Sequence, residues 1–531
     1  MKNTINFVLI LISFISTSNA QNFKNRFETI DVQNYKLAIE VSDTTNRITA
    51  SMNIALKFKK NSTEFILDFI KKDSTGKGML INSIYENDKT ATYLHENNQL
   101  KIYPNATNTD SIFNYTITYE GIPKDGLIIC NNLYGDRTFF GDNWPNRAQN
   151  WFPCVDHPSD KATIEYIITA PNHYQAIANG FEVEETNLDN NLKQYNYKTN
   201  VPLPTKVMVI GIAKFAVQNI GETHDIPVST WVYPQTKEKG FYDFSTAKEV
   251  LNFFIENIGE YPFEKLANVQ SKTRFGGMEN AGNIFYFEKS VTGNREHEDL
   301  IAHEIAHQWF GNSASELDWP HIWLSEGFAT YFTNLYIQKS LGEEALQKRL
   351  SEEKAKVIAF HKYQQTPIID YTSTNLMSIL NPNSYQKGSW FLRMLHHKLG
   401  DETFWKGIQL YYQTYKFKNA TTDDFRNTME TVSNSNLEDF FHNWLGQSGH
   451  PTLKPSWIYH KNKLRLIIDQ VQESNFTFPL DIALLYKDGT SEIKTIQVNT
   501  KFAPHEIETN GEVIDIKLDP NNYLLFEIIK D

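Results

Sequence analysis

The sequence predicts a multidomain α+β protein with an all-β N-terminal domain, a mainly helical central domain and a small C-terminal β-sandwich. With 531 residues, 40% of them hydrophobic, the chain is too long for one ordinary domain and apolar enough for several packed cores. Apolar and polar residues alternate near both ends, as is typical of half-buried strands. Between these regions the apolar residues recur at helical spacing.

The N-terminal domain is predicted over residues 21–216. Residues 35–59 alternate apolar and polar side chains on either side of a polar turn, which indicates an antiparallel hairpin. Further strands are expected at 113–121, 162–171 and 206–215.

The central domain is predicted over residues 217–449. Residues 243–263 place apolar side chains at helical spacing after a polar start, and Gly259 with Pro262 would end this helix. Further helices are expected at 297–312, 322–341, 343–362, 386–399, 402–416, 422–433 and 436–446. Strands return over residues 450–531, where short runs suggest a sandwich. They are expected at 463–471, 478–487, 492–498 and 522–529.

Residues 1–20 are predicted to be a secretory signal peptide. They combine Lys2, an apolar run over 5–15 and a small-residue ending at Ala20. The run is too short to span a bilayer, and no later stretch approaches the roughly 20 apolar residues that a spanning helix requires. A retained N-terminal anchor is the alternative. We therefore expect export to the periplasm or the medium, without stable membrane insertion.

Charge and cysteine content exclude other classes of protein. The formal net charge is −12, which disfavours nucleic acid and anionic membranes as partners because both require clustered Lys and Arg. The two cysteines, Cys130 and Cys154, exclude a disulfide framework and a thiolate zinc cluster. A single bridge and two separate thiols both remain open.

The stretch HEIAHQWFGN, residues 303–312, carries the pattern of a metal site. His303 and His307 are four residues apart, so on a helix both imidazoles face one point. Glu304 lies about 100° around the helix from His303, where it can face a metal-bound water as a general base. A chance H-E-x-x-H and a surface glutamate at position 326 are the alternatives.

The next predicted helix supplies a third ligand. Glu326 lies in WLSEGFATYF, on a segment with room to fold back antiparallel to the first helix. Two histidines and a carboxylate, with an open fourth position, form a catalytic zinc set. His297 and His321 flank these helices, but we expect them to be solvated or capping residues.

HEIAHQWFGN followed by WLSEGFATY resembles the aminopeptidase N family of zinc metallopeptidases, the gluzincins. Other motifs of that family follow its order: FGGMENAGNIFY at 275–286 resembles the G-x-M-E-N exopeptidase motif, and SYQKGSWFL at 384–392 resembles the segment with the catalytic tyrosine. The phrases IGEYPFEK and WFPCVDHP also match, so the resemblance covers roughly 35–450. It implies a thermolysin-like catalytic domain.

The resemblance implies a role for each of five residues. His303, His307 and Glu326 would bind one Zn²⁺ ion. Glu304 would be the general base and then the proton donor to the leaving amine. Tyr385 would donate a hydrogen bond to the oxyanion of the tetrahedral intermediate, which is physically reasonable for a positioned hydroxyl.

The G-x-M-E-N motif implies the substrate-binding residues. Glu279 would bind the free α-amino group, and internal peptide bonds would leave this carboxylate unpaired. Gly276 and Gly277 would let an extended substrate add as a strand, and Met278 would line the pocket for the first side chain. Asn280 completes the motif and is expected to bind substrate as well.

Two positions depart from the family. A Gln and an acidic or amide residue usually precede the F-P-C-x-D-x-P phrase and help to hold the substrate amine, but here these positions are Asp142 and Trp144. Asp142 can bind a cation, whereas Trp144 cannot accept a hydrogen bond. This substitution questions strict free-amine specificity more than it questions peptide hydrolysis.

The sequence therefore predicts a secreted zinc aminopeptidase acting on peptides with a free N-terminus. One alternative is a gluzincin endopeptidase or dipeptidase without a strict amine requirement. The other is a non-catalytic binding protein on the same fold, against which stands the presence of the base, all three ligands and Tyr385. The preferred first residue and the oligomeric state do not follow from the sequence. Larger family members carry a helical domain over the active site, so we expect a cleft that is open or closed by a partner subunit.

Overall fold

A computed structural model of the protein describes residues 28–529. The predicted signal peptide at 1–20 lies outside these residues. Within the described range, no helix combines the length and the apolar character needed to cross a membrane.

The N-terminal part of the chain forms strands β1 to β16. In the first two, buried and more exposed residues alternate, so one face of the hairpin packs on the core. The strands are β1 (Ile30–Glu40), β2 (Ile48–Phe58), β3 (Phe65–Asp68), β4 (Gly78–Glu86), β5 (Lys89–Thr90), β6 (Thr92–Glu96), β7 (Gln99–Tyr103), β8 (Ile112–Ile122), β9 (Leu127–Asn131), β10 (Arg137–Gly141), β11 (Lys161–Pro171), β12 (Gln175–Ala178), β13 (Phe181–Asn187), β14 (Leu192–Lys198), β15 (Leu203–Pro204) and β16 (Ile210–Ala213).

These strands form three sheets. The largest has the order β13-β14-β11-β1-β2-β8-β4-β5, with β15 paired to β11, and the others are β12-β16-β10-β9 and β3-β7-β6. The all-β fold and the hairpin of β1 with β2 are confirmed. The strand expected at 206–215 is shorter, because Thr205–Val207 form a 3-10 turn and only β16 pairs.

A mixed five-stranded sheet precedes the metal helices, and the mainly helical expectation did not include it. Its order is β17-β18-β19-β21-β20, in which β18, β19 and β21 run parallel. Every residue of β19 is buried, and a fully buried strand lacks the alternation that marks a half-exposed one. The strands are β17 (Ala216–Thr223), β18 (Ile226–Val232), β19 (Leu266–Ser271), β20 (Gly277–Met278) and β21 (Asn283–Phe287).

The rest of the central region is helical, as predicted. The single helix expected at 243–263 is wrong, since two helices meet near residue 245. The carboxylate of Asp243 accepts the backbone N–H groups of Thr292, Gly293 and Arg295, which anchors the end of the first helix. The helices are α1 (Lys237–Phe244), α2 (Ala247–Ile258), α3 (Glu298–Ala306), α4 (Trp323–Leu341), α5 (Glu343–His361), α6 (Gly388–Leu399), α7 (Asp401–Tyr415), α8 (Thr422–Ser433) and α9 (Glu438–Phe441), with π-helical turns at Asn383–Lys387 and His442–Gly446.

The C-terminal strands form two separate sheets whose buried residues belong to one apolar cluster, as in a sandwich. Their orders are β28-β25-β24-β30 and β27-β26-β29. Of the strand expected at 522–529 only two residues form a strand. The sequence analysis missed three strands, at 452–460, 502–508 and 513–518. The strands are β22 (Ser315–Glu316) and β23 (Asn419–Ala420), which pair within the helical region, then β24 (Thr452–His460), β25 (Lys463–Gln470), β26 (Phe478–Tyr486), β27 (Ser491–Val498), β28 (Phe502–Glu508), β29 (Val513–Leu518) and β30 (Glu527–Ile528).

The two cysteines are separate thiols and form no disulfide. Cys130 lies in β9, half-buried, and Cys154 lies buried in the loop before β11. Of the two arrangements that the sequence left open, the unbridged one is present.

Candidate active site

Two helices bring the three expected metal ligands together. His303 lies in the last turn of α3, His307 caps that helix, and Glu326 lies in the first turn of α4. Nε2 of His307 lies 3.1 Å from Nε2 of His303 and 3.2 Å from Oε2 of Glu326. The ligand atoms of all three residues lie within 4.8 Å of one another, so they can share one ion.

The surroundings of His307 favour metal binding through Nε2. Its Nδ1 lies 3.3 Å from the carbonyl oxygen of Phe310, which can only accept, and 3.0 Å from Oγ of Ser325. A hydrogen on Nδ1 leaves Nε2 with its lone pair. Gly311 permits this packing, because a Cβ there would lie 2.2 Å from Oγ of Ser325.

The donor set fits zinc. Two imidazole nitrogens and one carboxylate are the ligands of a catalytic Zn²⁺ site, which keeps its fourth position open. Burial raises the pKa of Glu326, but the charges of His307 and His303 and the hydrogen bonds from both rings together outweigh burial and lower that pKa, so the carboxylate stays ionised. Among the described residues, His303, His307 and Glu326 are the His, Cys, Asp or Glu side chains whose ligand atoms lie close enough together to hold a metal ion.

Glu304 faces the same cavity as the triad. Its side chain is buried, and burial raises its pKa well above the usual range, while the charges of Glu279 and Glu326 add to this and His307 opposes it. Gly277 lies directly against this carboxylate, since a Cβ there would be 2.3 Å from Oε1 of Glu304. Any larger residue at position 277 would displace Glu304.

The segment from Gly276 to Asn280 forms an edge beside the helix. Gly277 and Met278 form β20, which lies at the end of the sheet and pairs only with β21 among the described residues, so no strand occupies its other edge. Gly276 has room for a side chain, with no atom closer than 3.8 Å to a Cβ there. Asn280 is fully buried below the segment, away from the side chains that line the cavity.

Glu279 is a buried carboxylate that points into the cavity. It is 5% exposed, and its Oε1 has no hydrogen-bond partner within the described residues. Burial raises its pKa, although His307 opposes this effect. A buried carboxylate oxygen without a partner is costly unless a ligand completes it.

Two side chains that the sequence analysis did not single out hold Glu279 in place. Nε2 of Gln308 donates to the carbonyl of Glu279 at 2.8 Å, and Nδ2 of Asn312 donates to the same oxygen at 2.6 Å. Both residues belong to HEIAHQWFGN. Two amide side chains just after the second histidine were therefore the feature of the sequence that could have predicted this role.

Tyr385 lies on the π-helical turn before α6 and lines the cavity. Its ring stacks on His303, with centroids 5.9 Å apart and planes 13° from parallel. Burial, together with the charges of Glu326, Glu279 and Glu304, raises the pKa of Tyr385 well above its usual value. The phenol therefore keeps its proton and can donate it in a hydrogen bond.

Asp142 and Trp144 lie in different surroundings, and only Trp144 lines the cavity. Asp142 is fully buried and accepts from the Arg147 guanidinium at 2.6 Å and from the backbone N–H of Arg274 at 3.1 Å. Its carboxylate is thereby occupied. Trp144 lines the cavity with an apolar ring.

His297 and His321 lie apart from the triad, as expected. His297 precedes α3 and packs edge-on against Phe287. His321 is buried, and its Nδ1 lies 2.9 Å from the hydroxyl of Thr422.

Comparison with known proteins assigns the helical part of the chain and its β-rich N-terminal part to one family. The Peptidase family M1 domain matches residues 242–444, and the Peptidase M1 N-terminal domain matches residues 32–207. The first range contains the triad, Glu304, Glu279 and Tyr385, and the second contains Trp144.

Curated relatives agree with this match. Glutamyl aminopeptidase of Rattus norvegicus is 29% identical over 385 residues, which are 68% of this chain and 41% of that protein. Glutamyl aminopeptidase of Bitis rhinoceros is 31% identical over 373 residues, 66% of this chain and 39% of that protein. Probable aminopeptidase 2 of Sulfurisphaera tokodaii is 29% identical over 393 residues, 70% of this chain and 48% of that protein.

The matched region spans less than half the length of each of these three relatives. The two family models together cover most of the β-rich N-terminal part and the helical part with the metal triad. Since both family models match in this order and enclose the triad, the chain belongs to peptidase family M1.

Proposed function

We propose that the protein is a zinc aminopeptidase that removes the first residue from peptides with a free N-terminus. The observation that carries this proposal is the unpaired, buried Oε1 of Glu279 in the cavity of the metal triad. A substrate ammonium group is the natural partner of such a carboxylate. The relatives described as aminopeptidases support the same activity.

The ligands of zinc in this proposal are His303, His307 and Glu326. When bound, the ion polarises the scissile carbonyl and lowers the pKa of a coordinated water. Glu304 takes the proton from the attacking water and passes it to the leaving amine. Burial raises the pKa of Glu304, which makes its carboxylate a stronger proton acceptor than an exposed one.

Tyr385 donates a hydrogen bond to the oxyanion that develops on the attacked carbonyl. Support comes from its position in the cavity lining and from the raised pKa that keeps the phenol protonated. The stacking of its ring on His303 ties the hydroxyl to the metal site.

Substrate position follows from Glu279 and the open edge of β20. The amine binds Glu279, and the first residues extend along Gly276 and Gly277 as an added strand. Met278 contacts the first side chain. Asn280 is not assigned a substrate contact in this proposal, since its side chain is fully buried and does not line the cavity.

We also propose that residues 1–20 direct export and are removed, so that the mature enzyme works in the periplasm or outside the cell. The basic start, short apolar run and small residues before position 21 support this. N-terminal sequencing of protein collected from the periplasm or medium should begin at Gln21. A sequence that begins at Met1 would contradict the proposal.

An endopeptidase or dipeptidase is the second candidate. It is favoured by the loss of two amine-binding positions, because Asp142 is occupied by Arg147 and position 144 carries an indole. In this candidate Glu279 alone is left to bind the amine, and a free N-terminus is no longer strictly required.

Matched peptides with free and acetylated N-termini test the proposal. The zinc-loaded enzyme should cleave only the free peptides. Glu304→Gln should keep its zinc and lose turnover by about 10²–10⁴-fold, while the control Glu296→Gln, at an exposed position, should behave as wild type. Equal cleavage of both peptides would establish the endopeptidase. Cleavage of neither, with zinc bound, would establish the non-catalytic reading.

A further inference from the structure

The cavity beside the metal triad has one apolar wall. Trp144, Phe275, Met278 and Leu380 line it together with the carboxylates and histidines already described. Trp144 and Met278 are each 2% exposed, whereas Phe275 and Leu380 are half-buried at the rim. All four belong to or pack against the same apolar cluster, so the wall is an extension of a packed core.

This wall is held by aromatic and backbone contacts. The ring of Trp144 meets those of Phe275 and Trp319 edge to face, at centroid distances of 6.0 and 5.9 Å. Met278 is fixed by the pairing of β20 with Phe285 of β21. A wall held in this way selects a side chain by shape and polarity without rearranging.

No lysine or arginine lines the cavity within residues 28–529. The cations close to this cavity bind other carboxylates. Arg147 binds Asp142 at 2.6 Å, and Arg274 binds Asp125 at 2.7 Å. Lys206, whose charge acts on Glu279, is paired with Glu316 at 2.5 Å. An acidic substrate side chain would therefore lose its water without gaining a cationic partner, and it would face Glu279 and Glu304.

We propose that the enzyme selects peptides whose first residue is large and apolar, such as Leu, Met or Phe, and rejects peptides that begin with Glu or Asp. This inference rests on the proposed aminopeptidase function. Trp144 and Leu380 are the specificity-determining residues. The cavity is open to solvent on one side and holds the apolar wall, Glu279 and the metal triad in one lining, so one amino-acid head and its side chain can contact all three.

The proposal separates this chain from the relatives described as glutamyl aminopeptidases. A site built for an acidic side chain needs a buried cation or hydrogen-bond donors at the end of its pocket. Here the corresponding wall consists of apolar side chains, those of Trp144, Phe275, Met278 and Leu380. A lysine or arginine at the first position of the substrate would also lack a partner in this wall. We expect kcat/KM for such substrates to lie between the values for Leu and Glu.

A series of first-residue amidomethylcoumarin substrates tests the proposal on the zinc-loaded enzyme. We expect kcat/KM for Leu, Met and Phe to exceed that for Glu and Asp by at least about 100-fold, and that for Ala by about 10-fold. Calorimetric titration with the free products gives a readout without turnover. L-leucine should bind at least about 10-fold more tightly than L-glutamate.

A charge placed in the wall should change the preference. Leu380→Arg should raise kcat/KM for the Glu substrate by about 10-fold or more and lower that for Leu. Leu376→Arg is the matched control, because Leu376 packs on the same apolar cluster without lining the cavity. Its Leu-to-Glu ratio should stay at the wild-type value. Leu380 is half-buried at the rim, so this change spares the packed Trp144.

The outcomes distinguish the two proposals. Hydrolysis of the Glu substrate at a rate equal to or above that of Leu would overturn the apolar pocket while leaving the aminopeptidase intact. Hydrolysis of no substrate, together with tighter binding of L-leucine, would overturn the enzyme and retain the pocket. Neither hydrolysis nor a binding preference would overturn both.

Discussion

Gln308 holds Glu279 through its backbone: the amide nitrogen of Gln308 donates to the carbonyl oxygen of Glu279 at 2.8 Å. The oxygen of the same amide accepts the backbone N–H of Gly282 at 3.0 Å. Because Gln308 directly follows the ligand His307, these two bonds fix the distance between the metal triad and the turn that carries Glu279. The proposed selection for a free amine depends on that distance.

Gln308→Ala should therefore impair substrate binding without removing zinc. The carbonyl of Glu279 would keep only Asn312, and the turn would lose both bonds to the helix. We expect KM for free-amine peptides to rise about 30-fold, since one buried hydrogen bond contributes roughly 1 kcal/mol and two are lost. Steady-state kinetics and zinc analysis measure both effects.

Gln409→Ala is the control, because the amide of Gln409 also donates to a backbone carbonyl, that of Asn257, on a helix away from the cavity. It should leave KM unchanged. Loss of zinc from Gln308→Ala would show instead that this residue supports the metal ligands rather than Glu279.

Tyr385→Phe should bind substrate and turn it over slowly. The phenyl ring can keep the stacking on His303, but no hydroxyl remains to donate to the oxyanion. Loss of one such donor costs about 10²–10³-fold in kcat, and we expect KM to change only a few-fold. Tyr371→Phe, at an exposed tyrosine, should be silent. An unaltered kcat would remove Tyr385 from the mechanism.

Local sequence spacing accounts for the part of the site that the sequence predicted. His303, Glu304 and His307 lie within a single helical turn and a cap, so their proximity follows from helix geometry alone. Glu326 required a second helix, which its apolar pattern made visible. The zinc ligands could therefore be proposed before any tertiary contact was known.

Tertiary packing accounts for what the sequence could not predict. Asp142 was expected to be able to bind a cation, but its carboxylate is taken by Arg147, five residues along the chain. The holding role of Gln308 depends on where β20 lies. The parallel strands around β19 are buried throughout and carry no alternating pattern, so they were missed. The domain boundaries at 216 and 449 stay predictions.

A buried ion pair joins the β-rich N-terminal part to the helical region. Nζ of Lys206 lies 2.5 Å from Oε1 of Glu316, and these side chains are 1% and 0% exposed. Glu316→Gln would leave the charge of Lys206 buried without a counter-ion. We expect the free energy of unfolding to fall by about 3–5 kcal/mol.

Urea denaturation measures this loss. Glu238→Gln, which removes a partner of an exposed ion pair, should change the free energy by less than about 0.5 kcal/mol. Lys206→Met with Glu316→Leu should be less harmful than Glu316→Gln alone, because it removes both buried charges. A single variant as stable as wild type would show that water reaches Lys206.

A pair of buried histidines should make the protein less stable in acid. Nε2 of His361 lies 2.8 Å from Oδ1 of Asn383, which can only accept, so Nε2 carries the hydrogen. Nδ1 of His361 is then the acceptor of the 2.7 Å contact with Nδ1 of His450. His361 is therefore neutral, since one ring nitrogen donates and the other accepts, and its bond to Asn383 anchors the turn that carries Tyr385. Nε2 of His450 lies 3.7 Å from Oε2 of Glu527.

Burial lowers the pKa of His361 to about 4 and that of His450 to about 3, from an ordinary value of 6.5. Between pH 6.5 and these values the unfolded chain binds protons that the folded chain does not, so stability falls as the pH decreases. Above pH 6.5 both states are neutral, and the pair contributes no pH dependence. At pH 5 the shift of His450 alone costs about 2 kcal/mol.

Thermal unfolding at pH 7.5 and pH 5 measures this dependence. His450→Gln can still donate to His361 but cannot titrate, so its melting temperature should fall less between the two pH values than that of wild type. His460→Gln, at an exposed position, should keep the wild-type difference. If His450→Gln loses as many degrees as wild type, the acid sensitivity arises elsewhere, because a residue that cannot bind a proton cannot contribute to it.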